Sequence, residues 1–208
     1  MVLRDHAGTG VEPSPPRVLD VGCGKAKTAG AFGVDRDPSS DADLVADLDV
    51  HPYDLPSGHF TRVVCHHVVE HLADIPAFFG ELHRVAAPGA RIEILTPHFS
   101  NRCSYSDPTH RHHLAVQFAD FFAERPGRSE RPGFLATLAN HLFEHRFDYE
   151  PDARPARFVL VSQEITFSRV FRRLGVAWLA NRCWRFWEFY LAFLLPARDL
   201  RIVLSVRK

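Results

Sequence analysis

A short aliphatic run that ends in two closely spaced glycines is the feature that most limits how this chain can fold. Residues 17–21 are β-branched or aliphatic apart from Arg17 and Asp20, and Gly22, Cys23 and Gly24 follow directly. This order predicts a buried strand followed by a tight turn. Because glycine has no Cβ, a ligand can approach the backbone closely at such a turn.

Strand and helix signals alternate along the first hundred residues. Short apolar segments predict further strands at 31–34, 44–48, 62–65 and 91–96. Residues 75–87 repeat apolar side chains with the period of an amphipathic helix, which Pro88 and Gly89 end. Alternation of this kind predicts a parallel sheet with right-handed crossovers. With later strands at 157–167 and 201–206, we expect an α/β fold with a Rossmann-like, doubly wound, mostly parallel seven-stranded sheet.

Composition and pattern divide the chain into four parts. These are a mobile N-terminal lead-in at 1–16, a cofactor-binding core at 17–98, an inserted helical cap at 99–156 and a C-terminal part at 157–208 that completes the sheet. Within the cap we expect helices near 114–123 and 134–143. The C-terminal part is expected to include one aromatic helix from Trp178 to Tyr190.

Composition excludes several classes of partner. The 208 residues include 25 basic and 25 acidic side chains, so the net charge is zero and nucleic acid is not an expected partner. The most apolar stretch, 186–195, contains Glu188 and is too short to span a bilayer. The four cysteines form no Cys-x-x-Cys pair, so neither a disulfide framework nor a zinc finger is predicted. We expect a cytoplasmic protein.

Acidic residues after the second and third strands narrow the predicted identity of the ligand. Asp35 closes the second strand, where its carboxylate could accept hydrogen bonds from both hydroxyls of a ribose. Asp47 and Leu48 end the third strand and offer an acceptor and an apolar surface to an adenine ring. The loop also lacks the later glycine of the G-x-G-x-x-G dinucleotide fingerprint, since Ala26 follows Gly24 instead. These features favour S-adenosylmethionine over a nicotinamide dinucleotide.

Motifs in a fixed order resemble those of a known family. Phe60–Leu72 resembles the fourth-strand motif of class I S-adenosylmethionine-dependent methyltransferases, and Leu82–Ala90 resembles the helix and turn before their fifth strand. The run from Val18 to His98 looks like the bacterial small-molecule and saccharide-modifying members, and the tail from Tyr190 is similar to one subfamily's ending. The resemblance implies a methyltransferase that uses S-adenosyl-L-methionine. Its expected cofactor contacts are Asp20, Gly22, Cys23, Gly24, Lys25, Asp35, Arg36, Asp47, Leu48, Cys65 and His66.

The glycine loop departs from the family pattern in two ways. Ala26 stands where a third glycine is usual, and only a short segment separates Gly24 from Asp35. The helix that usually follows the loop must therefore be abbreviated. We expect the methionine end of the cofactor to be held differently in consequence.

Histidines gather where the predicted strands end. They are His66, His67, His71, His98, His110, His112 and His113. Carboxyl ends of parallel strands line the ligand crevice of such sheets, so the histidines after the fourth and fifth strands should lie near it. Imidazole titrates near neutral pH, which makes His98 and His110 candidates for a general base, with Tyr105 orienting the acceptor. Segment 104–113 is expected to close over the acceptor site, unless its histidines only hydrogen-bond within the cap.

A metal site is an open alternative after the fourth strand. His67, Glu70 and His71 have i, i+3, i+4 spacing and would share one face of a helical turn. The string resembles the Glu-x-x-Glu-His metal site of small-RNA and ubiquinone O-methyltransferases, with His67 replacing the first glutamate and a histidine from 110–113 completing it. Two imidazoles would favour a transition metal over magnesium. In the other interpretation Glu70 and His71 fix the turn by hydrogen bonds, and on that basis we predict no metal.

The expected reaction transfers a methyl group to an oxygen or nitrogen of a small-molecule acceptor, such as a saccharide or a natural product. Two alternatives are a non-catalytic S-adenosylmethionine-binding partner protein and a NAD-type oxidoreductase. The aromatic helix is expected to pack on the core. Otherwise it would serve an apolar acceptor or the surface of a homodimer.

Overall fold

The computed structural model describes residues 17–126 and 157–208. The expected lead-in at 1–16 and the expected helix at 134–143 lie outside the described residues. The strands are β1 (Val18–Val21), β2 (Phe32–Asp35), β3 (Leu44–Val45), β4 (Phe60–His66), β5 (Ala86–Pro97), β6 (Ala123–Glu124), β7 (Phe158–Ile165) and β8 (Asp199–Val206). The α-helices are α1 (Ile75–Val85), α2 (Arg102–Ser106), α3 (Arg169–Arg173), α4 (Val176–Arg182) and α5 (Trp184–Tyr190), and 3-10 helices cover Val69–His71 and Val116–Phe121.

One sheet holds all of these strands, in the order β3-β2-β1-β4-β5-β8-β7-β6. β1 pairs in parallel with both β2 and β4, and the parallel pairing extends to β3 and β5. β8 runs antiparallel between β5 and β7. The chain moves outward from β1 to β3 and then crosses back to β4, so the strand order reverses beside β1. Ligands of open α/β sheets bind at the carboxyl ends of the strands at such a switch point.

The predicted Rossmann-like α/β fold is confirmed, with corrections to its details. The described sheet has eight strands rather than seven, because Ala123–Glu124 pairs in parallel with β7 and is too short to leave a hydrophobic pattern. Helix α1 ends at Val85 rather than at 87, since Ala86 adopts extended backbone and pairs with Phe60. The helix expected near 114–123 is a 3-10 helix at Val116–Phe121.

The expected single aromatic helix is two helices. Cys183 has φ −129° and ψ 49°, which ends α4 and precedes α5. Trp187 is fully buried, with its ring 5.3 Å from that of His98 and 5.2 Å from that of Phe167. Trp178 is 72% exposed. The packing interpretation therefore holds for Trp187 and is wrong for Trp178.

Helix α1 forms because local signals and an apolar face agree. Asp74 caps it by accepting a hydrogen bond from the Ala77 backbone N–H at 2.9 Å, and Pro76 suits the first turn. The face that packs on the sheet consists of Ile75, Phe78, Phe79, Leu82 and Val85. Burying each such side chain contributes about 1.5–3 kcal/mol, so this face anchors the helix. In the described parts of the chain, none of the helices combines the length and apolarity that crossing a bilayer requires.

Candidate active site

Three strand ends meet at the switch point. Val21 of β1 lies opposite Val34 of β2 on one side and Cys65 of β4 on the other. The residues that follow these positions therefore emerge at one edge of the sheet. Gly22, Asp35 and His66, predicted separately from the sequence, are brought together there.

The two loop glycines are required for different reasons. Gly22 has φ +67°, and a Cβ on it would lie 2.3 Å from Val68 Cγ2. Gly24 has φ +54°, but a Cβ there would meet no atom within 4 Å. Gly22 thus permits close packing on the segment after β4. Gly24 has open space where a side chain would lie, so a ligand can approach the loop there, although its N–H and carbonyl already bond to Asp35 and to the Asp41 N–H.

Asp35 organises the loop as well as facing the crevice. Its Oδ2 accepts a hydrogen bond from the Gly24 N–H and its Oδ1 accepts one from the Asp37 N–H, both at 2.8 Å. A carboxylate has about four lone-pair sites, so roughly two stay open to other donors. The sequence missed these hydrogen bonds to the loop, and the ribose contact of Asp35 stays a prediction.

Residues 22–31 form turns and bends, so the helix that the short spacing between Gly24 and β2 predicted to be abbreviated is absent from them. Side chains hold this segment instead. Asp20 Oδ2 accepts a hydrogen bond from the Thr28 N–H at 2.6 Å. Asp43 Oδ2 accepts hydrogen bonds from the Gly33 N–H and from Lys27 Nζ, each at 2.8 Å. Sequence reasoning missed Asp43, which no motif marked because it lies in the irregular segment before β3.

The side chains beside the loop differ sharply in chemistry. Lys25 and Arg36 are exposed cations. Burial, with the nearby Asp35 and Asp20 carboxylates, raises the pKa of Cys23 to about 11, and burial raises the pKa of Cys65 as well. Neither thiol is therefore suited to act as a nucleophile, because the thiolate is the reactive form.

His66 stands at the end of β4 as a neutral group. Desolvation lowers its pKa, with the neighbouring His67 and Arg201 acting in the same direction. Imidazole with a lowered pKa is uncharged at neutral pH. His66 can therefore accept a hydrogen bond from a ligand in the crevice.

Asp47 and Leu48 are placed differently from each other. Asp47 is exposed, and its Oδ1 accepts a hydrogen bond from the Asp49 N–H at 3.0 Å. Leu48 is only 8% exposed and belongs to the hydrophobic core. Its carbonyl oxygen accepts a hydrogen bond from the Tyr53 hydroxyl at 2.7 Å. Asp47 is open to a ligand, whereas the Leu48 side chain presents little surface to an adenine ring.

The chain turns sharply after β4. His67 has φ +55°, a left-handed conformation that costs a residue with a side chain about 1–2 kcal/mol. Its N–H donates to the Leu95 carbonyl at 2.8 Å, and its Nδ1 lies 3.3 Å from Glu70 Oε1. Contact with the Glu70 carboxylate raises the pKa of His67. Strained residues of this kind concentrate at functional sites, and the sequence did not predict the left-handed backbone of His67.

Segment 99–114 forms a loop that leaves β5 and returns beside it. Phe99 donates its N–H to the Leu114 carbonyl at 2.9 Å. Further along, the N–H groups of Arg111 and His112 donate to the Glu70 carbonyl at 2.8 and 3.1 Å. His112 Nε2 also lies 2.9 Å from the Leu72 carbonyl oxygen. The loop is therefore fastened to the turn after β4.

The two predicted base candidates have different surroundings. His98 is fully buried, with Nδ1 2.9 Å from Ser100 Oγ and Nε2 3.0 Å from Glu188 Oε1. Both of its nitrogens have protein partners, which favours a positioning role over that of a base. His110 has a side chain that is 7% exposed, and its Nδ1 lies 3.1 Å from the Ser104 carbonyl oxygen. Its ring approaches that of His71, with the two centroids 4.6 Å apart.

Tyr105 lies on the outside of the same loop. It is 56% exposed and stacks on His113, with ring centroids 4.1 Å apart. Ser104 Oγ lies 2.9 Å from His113 Nδ1, so the stacked pair is held from within the loop. The Tyr105 hydroxyl is available to a second molecule.

A comparison with known families identifies the family to which the chain belongs. Residues 5–128, more than half of the chain, match the family model described as a methyltransferase domain. The chain belongs to this methyltransferase family. No curated protein is similar enough in sequence to match it.

Solved structures show how widely the fold of this methyltransferase is shared. A SAM-dependent methyltransferase from Archaeoglobus fulgidus has 18% sequence identity and a TM-score of 0.50 over 90% of this chain and 85% of its own. The [4+2]-cyclase SpnF has 14% identity and a TM-score of 0.50 over 91% of this chain and 74% of its own. An S-adenosylmethionine-dependent methyltransferase from Mesorhizobium loti has 15% identity and a TM-score of 0.49, covering 91% and 90%. At these identities the likeness shows the fold alone.

S-adenosylmethionine is the cofactor of this methyltransferase family, and the crevice fits it. Gly24 leaves open space where a side chain would lie, and Asp35 keeps lone pairs for hydroxyl donors. A helix beginning at the glycine loop would attract the cofactor's carboxylate, but residues 22–31 contain none. The exposed cations Lys25 and Arg36 can supply that charge instead. With the family shown, neither the NAD-type oxidoreductase nor the non-catalytic partner is needed to explain the chain.

Proposed function

We propose that this enzyme transfers the methyl group of S-adenosylmethionine to an oxygen or nitrogen of a small-molecule acceptor. When bound, the cofactor supplies a methyl group on a sulfonium, a strong electrophile. The protein then has to position the acceptor, exclude water and receive a proton. The observation that carries the proposal is the 99–114 loop, which is fastened beside the cofactor edge of the sheet and is rich in imidazole.

The cofactor side of the proposal assigns each group by its chemistry. Asp35 accepts the ribose hydroxyls, and Asp47 borders the adenine, to which the buried Leu48 side chain adds little surface. The exposed cations Lys25 and Arg36 face the methionine carboxylate. The remaining contacts come from the loop and the strand ends beside it: Asp20, Gly22, Cys23, Gly24, Cys65 and His66.

The acceptor side draws on the 99–114 loop. Tyr105 is exposed and can orient an acceptor by its hydroxyl. His110 is the stronger base candidate, because both nitrogens of His98 are already engaged by Ser100 and Glu188. Zero net charge argues against a polyanionic acceptor and supports a small molecule, such as a saccharide or a natural product. All four cysteines are free, which supports a reducing, cytoplasmic location.

His110→Ala tests the acceptor side. We expect methyl transfer to fall about a hundredfold, the scale of losing a general base, with the cofactor dissociation constant unchanged. Formation of S-adenosylhomocysteine with panels of hydroxyl and amine acceptors measures the first quantity, and calorimetry measures the second. His83→Ala, on α1 away from the crevice, is the matched control.

Two results would count against this proposal. Turnover only with carbon nucleophiles would overturn the acceptor class. Equal loss of cofactor binding and thermal stability in His110→Ala would assign His110 to the fold instead of to the reaction.

A further inference from the structure

We propose that Glu70, His71 and His110 form a binding site for a divalent transition-metal ion. One ligand atom from each residue lies within 4.8 Å of the others. Glu70 and His71 come from the 3-10 turn after β4, whereas His110 comes from the 99–114 loop. The hydrogen bonds that fasten this loop to the Glu70 carbonyl are what bring the three side chains together.

Glu70 is the strongest indication of a cation-binding site. The residue is 1% exposed, and its Oε2 accepts a hydrogen bond from Thr96 Oγ1 at 3.0 Å. Its Oε1 is buried and accepts no hydrogen bond. The nearest cationic group is His67, whose Nδ1 lies 3.3 Å away without the alignment of a hydrogen bond and whose side chain is 51% exposed. A buried carboxylate oxygen without a donor is costly, and a metal ion removes that cost.

The hydrogen bonds of His71 fix which of its nitrogens carries the proton. Thr109 Oγ1 gives its proton to Asp107 Oδ1 at 2.6 Å. The same oxygen lies 3.0 Å from His71 Nδ1, so it must accept from that nitrogen. The Thr109 carbonyl oxygen, 3.3 Å away, can only accept as well. Nδ1 is therefore the protonated nitrogen, and in the neutral ring Nε2 keeps a lone pair for a metal.

His110 follows the same logic. Its Nδ1 lies 3.1 Å from the Ser104 carbonyl oxygen, which can only accept, so Nδ1 carries the proton and Nε2 keeps the lone pair. Asp107 Oδ2 lies 3.7 Å from that Nε2 and adds negative charge beside the cluster. Metal-binding histidines almost always donate their other ring N–H to a carbonyl or carboxylate in this way.

The donor set selects the class of metal. Two imidazoles and one carboxylate favour a first-row transition ion such as Zn²⁺ over Mg²⁺. Three protein ligands leave a coordination position open, which is typical of catalytic sites and not of structural ones. The sequence predicted no metal because Glu70 and His71 of such a string can instead fix the turn by hydrogen bonds. In the structure the half-exposed His67 contacts Glu70 but does not belong to the cluster, and His110 joins Glu70 and His71 instead. A bound ion would occupy the Nε2 lone pair of His110, so His110 can act as the base of the proposed function only in the metal-free protein. The metal binding itself does not rest on the proposed function.

The test is metal titration of metal-stripped protein without cofactor or acceptor. We expect calorimetry with Zn²⁺ to give one ion per chain, and Co²⁺ to give the visible absorption of a low-coordinate site. His110→Ala and Glu70→Gln should each weaken Zn²⁺ about a hundredfold or more, since changing only an outer partner costs about 10–100-fold. Thr109→Val, which removes the outer partner of His71, should weaken Zn²⁺ about tenfold. His83→Ala should bind as the wild type does.

Thermal melting of every variant separates a lost ligand from a lost fold. No Zn²⁺ or Co²⁺ binding by the folded wild type would overturn the proposal. So would wild-type affinity in both His110→Ala and Glu70→Gln. Because neither cofactor nor acceptor is present, a failed titration leaves the methyltransferase proposal intact. An enzyme that binds the metal but transfers no methyl group would contradict only the methyltransferase proposal.

Discussion

At the scale of single residues, three carboxylates hold the loop after β1 in the way that a following helix would. Asp20, Asp35 and Asp43 each accept backbone N–H groups from the segment that follows β1 or from its neighbours. Hydrogen bonds to a charged acceptor contribute about 1.5–3 kcal/mol each, which is enough to hold a short irregular segment in one conformation. The loop can therefore stay ordered around Gly22 and Gly24 although no helix follows them.

Gly22→Ala tests whether the loop must pack on the segment after β4. The added Cβ would clash with Val68 Cγ2 and would also meet the strain of φ +67°. We expect Gly22→Ala to lower the free energy of unfolding by about 2–4 kcal/mol, the left-handed conformation alone accounting for about 1–2. Denaturant unfolding measures the loss.

Gly89→Ala is the matched control, because Gly89 has φ +73° with open space around it. It should show the strain without the clash. Gly22→Ala combined with Val68→Ala should recover part of the loss. Equal losses in Gly22→Ala and Gly89→Ala would show that no clash exists.

The positions of candidate site residues were predictable where a motif fixed them. Asp35 could be placed at the end of β2 because it closes a strand beside a glycine loop. The role of Asp43 could not be predicted, since it depends on the distance of its carboxylate from Lys27 and Gly33 in the folded chain. His98 was correctly placed at the end of β5. Its contact with Glu188 was not predictable, because Glu188 lies on a helix far along the chain.

A partly buried ion pair between Glu81 and Arg84 ties helix α1 to the irregular segment before β4. Glu81 accepts hydrogen bonds from Arg84 Nη2 at 2.8 Å and from the Tyr53 N–H at 2.9 Å. Arg84 also donates to the carbonyl oxygens of Tyr53 and Leu55, each at 2.9 Å. Burial by itself raises the pKa of Glu81, but the hydrogen bonds from Arg84 and Tyr53 outweigh it and lower the pKa below its ordinary value.

The lowered pKa of Glu81 determines how the free energy of unfolding changes with pH. The pair contributes its full stability above the unfolded pKa of glutamate and loses it as pH falls through the lower folded pKa. Glu81→Gln should reduce the free energy of unfolding by about 2 kcal/mol at neutral pH, less than for a fully buried pair because Arg84 is partly exposed. The difference from the wild type should shrink in acid, as denaturant unfolding across pH would show.

Glu93→Gln provides the comparison, since Glu93 pairs with Arg62 and Arg91 in more exposed surroundings. Exposed pairs contribute only about 0–1 kcal/mol. A Glu81→Gln effect that stayed constant from neutral to acid pH would contradict the assignment.

Element types were predictable from periodicity, and element ends were not. The strands and α1 follow hydrophobic patterns that tertiary packing reinforces. Ala86 ends α1 early because it pairs with Phe60, a contact that only the sheet creates. Cys183 divides the aromatic helix without any proline or glycine to mark the break.

At the scale of the whole molecule, the topology gathers chemistry from distant parts of the chain. The switch point brings Gly22, Asp35 and His66 to one edge, and the 99–114 loop brings His110 to Glu70. The order of motifs made the fold and the cofactor predictable. The acceptor was not predictable, because the same fold is found in a protein described as a [4+2]-cyclase. What distinguishes one member from another lies in the loops, whose contacts depend on the complete fold.

The most direct test of the central claim is calorimetric titration of S-adenosylmethionine into the wild type and Asp35→Ala, with NAD as a second ligand. We predict one saturable site for S-adenosylmethionine and none for NAD. Asp35→Ala should weaken binding about tenfold to a hundredfold, the equivalent of roughly 1.5–3 kcal/mol in charge-assisted hydrogen bonds. Asp41→Ala, an exposed carboxylate nearby, should leave it unchanged. No binding by folded wild-type protein, or equal affinity in a folded Asp35→Ala variant, would contradict the account.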